Sequence, residues 1–177
     1  MKNVKFYNLV FPTFTLFLIM PSLWLIALPV NLIVDSLALL IILAIIYKRL
    51  RFDLYKKVIL PIWFFGFLAD VPGAVFLSSG MFNPAVRYYE FPQNLCERIL
   101  TGMYWVSNHS IIADMWSLLY MMSGILISAG LVFLLDYYVF KLQLKDVMSK
   151  KQRIIASLIM AIATAPYAFL LPKELFY

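Results

Sequence analysis

Long apolar runs dominate the chain, and two short basic segments and one mixed polar stretch separate them. The first run extends over 9–47 and contains Asp35 as its single charged residue. As one helix it would be about 58 Å long at 1.5 Å per residue, whereas the hydrocarbon core of a bilayer is about 30 Å thick. We therefore expect two membrane helices joined by a tight turn at Pro29, because proline lacks the backbone donor that a continuing helix uses.

The later apolar runs predict three more membrane helices. The stretch between the third and fourth helices is too polar to cross a bilayer, so we expect a loop at 80–114 with a short helix at about 95–105. The chain is thus predicted to be one all-α domain, a polytopic membrane bundle of five transmembrane helices. The five spans are expected at about 9–28, 30–47, 58–79, 115–140 and 154–171.

Composition and charge support this class and give it a direction. Hydrophobic residues make up 64% of the chain and charged residues 14%, against about 45–50% and roughly 25% in soluble domains. If the N-terminus is inside, twelve of the 15 lysines and arginines fall in cytoplasmic segments. The other three are Arg87, Arg98 and Lys173. The positive-inside rule therefore predicts a cytoplasmic N-terminus, an outside C-terminus and a cell-membrane location. Because the basic residues lie in short connections between spans, we expect no nucleic-acid partner.

The outer loop carries signals for an amphipathic helix. Asn94 followed by Glu97 resembles a capping box, which satisfies the free backbone donors at a helix N-terminus. Leu95, Ile99 and Met103 then recur at four-residue spacing. Such a stripe either lies flat at the membrane interface or packs onto the end of the bundle, and the sequence leaves both alternatives open.

Asp70 is the most informative residue because it lies about 18 Å inside the third predicted span. A carboxylate at this depth is unfavourable unless it is paired, hydrated or protonated, so it is a functional candidate. Pro72 and Gly73 follow, and they predict a kink or a structural break in the helix. Asp70 could be a structural residue bonded to freed backbone groups, a ligand-binding or ion-coupling group, or a contact to another subunit.

Other polar residues fall in the same outer half of the predicted bundle. Asp35 lies just past the predicted turn, and Asp114 stands where the fourth span begins, a position that also suits simple helix capping. Asp136, close to Lys141, is predicted to be an interfacial charge at the inner end. We expect an outward-facing polar pocket with these candidate ligand-binding residues: Asp35, Asp70, Arg98, His109 and Asp114.

An enzymatic interpretation uses the single cysteine and the single histidine. Cys96 would be the nucleophile, His109 its base and Asp114 the group that orients the histidine. A cysteine on an amphipathic stripe is more often a packing residue. One cysteine and one histidine also exclude a metal site built from four such ligands, and we expect no metal and no cofactor.

Small residues recur at four-residue spacing in the last two spans. They predict close helix packing, since small side chains let membrane helices approach each other. The fourth and fifth spans are expected to pack on each other or on a partner. The residues concerned are Gly124 and Ser128 in the fourth span, and Ser157, Ala161 and Ala165 in the fifth.

Three function classes are compatible with these features. The first is a non-catalytic solute-binding or ion-coupled transport subunit with the outward pocket. The second is a scaffold or accessory subunit of a larger membrane complex, and the third is a membrane enzyme using Cys96 and His109. The expected partners are the lipid bilayer and another membrane subunit or a second copy of the chain.

Overall fold

In a computed structural model, residues 21–109 and 112–170 are described. All regular structure within these ranges is helical, as predicted, and no strand occurs in them. The α-helices are α1 (Pro21–Tyr47), α2 (Phe52–Phe82), α3 (Leu95–His109), α4 (Met115–Gln143) and α5 (Lys150–Ala163), followed by a 3-10 helix at Tyr167–Leu170.

Three of the described helices are long and apolar enough to cross a membrane: the Ala27–Tyr47 part of α1, all of α2 and all of α4. Large apolar side chains point outward along them, including Ile33, Leu60 and Leu134, each about 60% exposed. A contiguous apolar exterior of this kind is unfavourable in water. A lipid environment removes that penalty, and the helices satisfy their own backbone groups as a bilayer requires.

The turn predicted at Pro29 is wrong, because α1 continues through this residue. Proline removes one backbone hydrogen bond, but packed neighbours can compensate within a membrane bundle. The indole nitrogen of Trp63 on α2 donates to the carbonyl oxygen of Leu28, 2.9 Å away, directly beside Pro29. The predicted boundary between the spans 9–28 and 30–47 therefore does not exist, and 9–20 lies outside the described residues.

Of the kink or break predicted at Pro72 and Gly73, the break does not occur. Helix α2 is continuous from Phe52 to Phe82 with Pro61 and Pro72 inside it, and it is longer than the predicted span 58–79. Helices with an interior proline persist where neighbouring helices hold them. Gly73 instead allows α4 to approach α2 closely, as described below.

The two basic connections lie at one end of the bundle, which we call the basic end. The Tyr47 hydroxyl at the end of α1 donates to the carbonyl oxygen of Val147, 2.8 Å away in the α4–α5 connection. Helix α2 contacts α1, α3 and α4, and α4 in turn contacts α3 and α5. Helix α3 lies across the opposite end, which we call the α3 end.

Helix α3 begins at Leu95, as predicted, and extends past 105 to His109. The Asn94 side chain accepts from the Glu97 backbone at 2.9 Å, and the Glu97 carboxylate accepts from the Gln93 backbone at 2.7 Å. Of the predicted apolar stripe, Leu95 is 58% exposed. The buried face consists of Thr101, Gly102, Val106 and Ser107. The second half of α3 thus packs onto the bundle, and the first half leaves its apolar residues exposed.

Helix α5 is shorter than the predicted span 154–171. It starts at Lys150 and ends at Ala163, with the Thr164 backbone donating to the Met160 carbonyl as the last turn closes. Its length of about 21 Å is less than the bilayer core. Pro166 has no donor with which to continue the helix, and the chain instead forms the 3-10 helix at Tyr167–Leu170.

The interior contains two large clusters of buried apolar side chains. Toward the basic end, one cluster joins all the long helices and α5, with Tyr47 and Tyr55 packed against it; we call it the basic-end core. Toward the α3 end, the core includes Tyr120 and is bordered by buried serine and threonine. The basic-end core is formed by Leu39, Ile42, Leu43, Leu54, Val58, Ile59, Ile62, Val139, Phe140, Leu144, Met148, Ala156 and Met160.

Candidate functional site

Three aspartates from three helices lie buried in the middle of the bundle. Asp35 comes from α1, Asp70 from α2 and Asp136 from α4, and their exposed fractions are 5%, 8% and 0%. We call them the acid trio. Carboxylates are rarely buried unless they are paired, so three of them in one apolar bundle require a specific explanation.

Helix register brings the acid trio together. A Cβ atom built on Gly66 of α2 would lie 3.6 Å from Asp35 Oδ2, and Gly66 is one turn from Asp70. Ala69 of α2 and Val132 of α4 share one small core cluster, and Asp136 follows Val132 by one turn. These contacts place the three carboxyl groups within about two helical turns of one another along the bundle axis.

No cation among the described residues pairs with the acid trio. The one ion pair there is Arg51–Asp53 at the basic end, 2.6 Å apart, and its hydrogen bonds raise the pKa of the Arg51 guanidinium. Oδ1 of Asp70 and both carboxylate oxygens of Asp136 have no hydrogen-bond partner in the described part of the chain. The acid trio therefore either carries negative charge or binds protons, and no cationic side chain among the described residues neutralises it.

Helix α5 also contributes no charge to the acid trio. Ala161 packs in the cluster of Ala69 and Val132, and this register places Ser157, fully buried, level with Asp136. The Ser157 hydroxyl donates to the Arg153 carbonyl within its own helix at 2.9 Å. The Arg153 guanidinium reaches the Lys145 carbonyl oxygen at 3.4 Å, toward the basic end.

Helices α2 and α4 pack closely at Gly73, about one turn from Asp70. A Cβ on Gly73 would collide with the Ser128 hydroxyl and lie 2.6 Å from the Gly124 carbonyl oxygen. A Cβ on Gly124 would collide with Leu77. The small residues of α4 thus pack on α2, whereas the sequence predicted contact with α5 or a partner. Ser128 is fully buried, and its hydroxyl oxygen has no partner among the described residues.

The small residues predicted on the fifth span have separate environments. Ser157 and Ala161 are buried on α5. Ala165 lies beyond the end of α5 and packs in the α3-end core with Tyr120 and Met121. They therefore do not form one continuous helix face.

The predicted outward pocket is divided by the structure. Asp35 and Asp70 lie together, whereas Asp114 is exposed and caps α4, accepting from the Ser117 backbone at 2.7 Å. Arg98 is exposed on α3. Position 109 ends α3, and the side chain of His109 is outside the described part of the chain.

Asp136 is the site residue that sequence reasoning missed, since it was predicted as an interfacial charge and is fully buried. A signal was present. Gly124, Ser128, Val132 and Asp136 follow one another at four-residue spacing, so they share one helix face. Gly124 and Ser128 on this face already predicted close packing, and the same face reaches Asp136 two turns after Ser128.

The arrangement required for the enzymatic interpretation is not found. Positions 96 and 109 stand near opposite ends of α3, about 20 Å apart along its axis. Cys96 is a free, exposed cysteine. Within the described ranges, no group of three or more histidine, cysteine, aspartate or glutamate residues is placed to hold a metal ion.

Comparison with known proteins gives no family for this chain: no family model, no curated protein and no solved structure matches it. The chemistry of the site therefore rests on its own residues. Buried carboxyl groups without a fixed counter-charge can gain and lose protons, and acids inside membrane bundles mark ion pathways and proton relays.

Proposed function

We propose that the protein is a non-catalytic, multi-pass membrane protein that couples its conformation or its partner's transport to protons, through the acid trio. The observation that carries this proposal is the burial of Asp35, Asp70 and Asp136 at neighbouring levels of the bundle interior without a paired cation among the described residues. Three ionised carboxylates in a low-dielectric interior would be strongly destabilising. A bound positive charge removes that penalty, and release of the charge restores it. This difference in stability couples the binding of the charge to the conformation of the bundle.

A proton is the positive charge that fits best. Sodium or calcium would need several oxygen ligands converging at short distance, as calcium sites do at about 2.3–2.6 Å. The described acids do not form such a group. A proton needs only one carboxylate oxygen, and Asp70 and Asp136 each have at least one oxygen without a partner in the described ranges.

In the proposed membrane topology, the basic end faces the cytoplasm and α3 lies on the outer face of the cell membrane. Twelve of the 15 lysines and arginines lie in segments assigned to the inside, which supports this orientation. A five-span bundle with a cytoplasmic N-terminus and an outside C-terminus remains part of this proposal. The lipid bilayer would cover the exposed apolar faces of α1, α2 and α4.

The proposal is tested by infrared difference spectroscopy of the reconstituted protein during a pH change. The acid trio should give a protonated-carboxyl C=O band, and Asp70→Asn or Asp136→Asn should remove part of it. Asparagine keeps the size of the side chain but cannot take up the proton. Asp146→Asn is the matched control, because Asp146 is exposed in the basic-end connection.

Proton uptake measured with a pH dye in the same samples gives the stoichiometry. We expect fewer protons per chain in each acid-trio variant and no change for Asp146→Asn. If folded Asp35→Asn, Asp70→Asn and Asp136→Asn proteins all gave the wild-type band and the wild-type uptake, proton coupling at the trio would be excluded.

A further inference from the structure

We infer that the basic end is a binding surface for the headgroups of anionic phospholipids. Eight exposed lysines and arginines from the two basic connections and the adjoining helix turns form this surface. Exposed apolar side chains lie among them. The inference goes beyond proton coupling and is independent of it, because it uses no residue of the acid trio.

The α1–α2 connection and the first turns of α2 contribute four exposed cations: Lys48, Arg49, Lys56 and Lys57. None of these four forms an ion pair with a described residue, since the one ion pair within 21–109 and 112–170 is Arg51–Asp53. The Arg51 guanidinium also lies over the Tyr47 ring, 5.3 Å from its centroid. Arg51 is thus bound within the protein, whereas its four neighbours are free to bind an external anion.

The end of α4, the α4–α5 connection and the start of α5 contribute four more exposed cations: Lys141, Lys145, Lys150 and Lys151. They too form no ion pair with a described residue. Arg153 differs from them, because its guanidinium bonds the Lys145 carbonyl oxygen at 3.4 Å. The hydrogen bond from the Tyr47 hydroxyl to the Val147 carbonyl oxygen holds the two connections side by side. The eight cations therefore belong to one surface.

Apolar side chains at the basic end distinguish a lipid from other anionic partners. Leu50, Phe52, Leu142 and Val147 are all exposed beside the cations. A nucleic acid or an acidic protein in water would pair with the cations and leave these side chains in contact with water. The interface of a bilayer accommodates both, because headgroup phosphates meet lysine and arginine while the acyl boundary covers apolar groups.

The charge balance favours anionic over zwitterionic lipid. Residues 48–57 and 141–153 together carry ten lysines and arginines and two aspartates. At the other end, residues 83–114 carry two arginines and three acidic residues. In the proposed topology the basic end meets the cytoplasmic leaflet, where anionic lipids create a negative surface potential. The excess of positive charge therefore lies at the end where it would be neutralised.

Spin-labelled lipids measure this preference in vesicles of phosphatidylcholine with a minor fraction of phosphatidylglycerol. Electron paramagnetic resonance separates lipid held at the protein surface from mobile lipid. One cation near the surface favours an anionic lipid about fivefold, so the protein should hold phosphatidylglycerol up to about fivefold more strongly than phosphatidylcholine. Equal retention of the two lipids would overturn the inference.

Salt gives a second measurement on the unmodified protein. Raising sodium chloride from about 0.1 M to about 1 M shortens the Debye length from about 10 Å to about 3 Å. Most of the preference for phosphatidylglycerol should then disappear. A preference that is insensitive to salt would show that the exposed cations are not its cause.

Chemical modification of the purified, folded protein removes charge without affecting membrane insertion. Acetylation neutralises lysines, which are seven of the eight exposed cations, whereas reductive methylation keeps their charge. Acetylated protein should lose most of the preference, and methylated protein should retain it. The same result for both modifications, whether loss or retention, would refute a binding surface based on charge.

Two double variants locate the preference on the molecule. Lys56→Gln with Lys57→Gln removes two of the eight exposed cations and should lower the excess of bound phosphatidylglycerol by roughly a quarter. Arg87→Gln with Arg98→Gln is the matched control, since it removes two exposed arginines near the α3 end. This control should retain the wild-type preference. An equal loss in both double variants would show that the basic end is not the binding surface.

Two further outcomes would assign the cations to another anion. Sodium phosphate should reduce the preference no more than sodium chloride at equal ionic strength, and a stronger effect would indicate a site for free phosphate. A single-stranded oligonucleotide should not displace phosphatidylglycerol from the protein, and displacement would indicate a nucleic-acid surface. Either result would overturn the assignment to lipid and leave the test of proton coupling at the acid trio unaffected.

Discussion

The Ser128 hydroxyl of α4 occupies the space that Gly73 leaves open on α2. A methyl group at position 73 would collide with this hydroxyl and lie 2.6 Å from the Gly124 carbonyl oxygen, which is backbone and cannot swing away. We expect Gly73→Ala to separate the helices and to lower the free energy of unfolding by about 1–3 kcal/mol, the usual range for overpacking. Unfolding by denaturing detergent, followed by circular dichroism, measures the loss.

Gly130→Ala is the control for this substitution. Gly130 lies on α4, two residues after Ser128, and a Cβ there would meet no atom within 4 Å. Alanine is also the better helix former, by about 1 kcal/mol in peptides. The variant should therefore be neutral or slightly more stable. Equal destabilisation by both substitutions would show that close packing at Gly73 is not the cause.

The ends of some helices could be predicted because local residues determine them. Asn94 and Glu97 predicted the start of α3, and Asp114 predicted the start of α4, since these side chains bond the first free backbone donors of their own helices. Such bonds involve residues three positions apart and need no knowledge of the fold. Helix starts of this kind are readable from sequence.

The interior prolines misled the prediction because their effect depends on neighbouring helices. Pro29 and Pro72 both suggested a turn or a break, and both lie inside continuous helices. Trp63 compensates beside Pro29 from a position 35 residues away. Pro166, by contrast, does follow a helix end, because α5 stops at Ala163. Tertiary contacts, which no local pattern reveals, decide between these outcomes.

Trp63→Phe should weaken the contact between α1 and α2. The substitution keeps an aromatic ring but removes the donor that bonds the Leu28 carbonyl oxygen. We expect a loss of about 1 kcal/mol in the free energy of unfolding, typical of one hydrogen bond. Phe64→Leu, at an exposed neighbouring position, should change stability little. A Trp63→Phe protein as stable as the wild type would show that this bond does not hold α1 in place.

The acid trio could be predicted only in part. Asp35 and Asp70 were recognised because a charge within an apolar run is conspicuous in any hydropathy pattern. Asp136 was assigned to an interface because Lys141 is near in sequence, although the residue faces the bundle interior. Which face of α4 turns inward depends on its contact with α2 at Gly73. The grouping of the three acids is therefore a property of the packed bundle.

Asp114 should act as a helix cap. Its carboxylate accepts from the Ser117 backbone at 2.7 Å, and the Ser117 hydroxyl returns a bond to the Asp114 carbonyl. Asp114→Ala should lower the free energy of unfolding by about 1 kcal/mol, whereas Asp114→Asn should be nearly neutral because asparagine caps equally well. Proton uptake should be the same in both variants. If Asp114→Asn reduced proton uptake, Asp114 would have to be included in the proton site.

Cys96 should be dispensable. It lies exposed on the first half of α3, and position 109 is near the far end of the same helix, about 20 Å away. Cys96→Ser should therefore retain the stability, the carboxyl band and the proton uptake of the wild type. Alkylation of the native protein by a small maleimide should have no more effect than the substitution, because the thiol is already at the surface. Loss of proton uptake in Cys96→Ser, together with protection of the native thiol from the maleimide, would restore the outer loop as a functional site and favour the enzymatic interpretation over proton coupling.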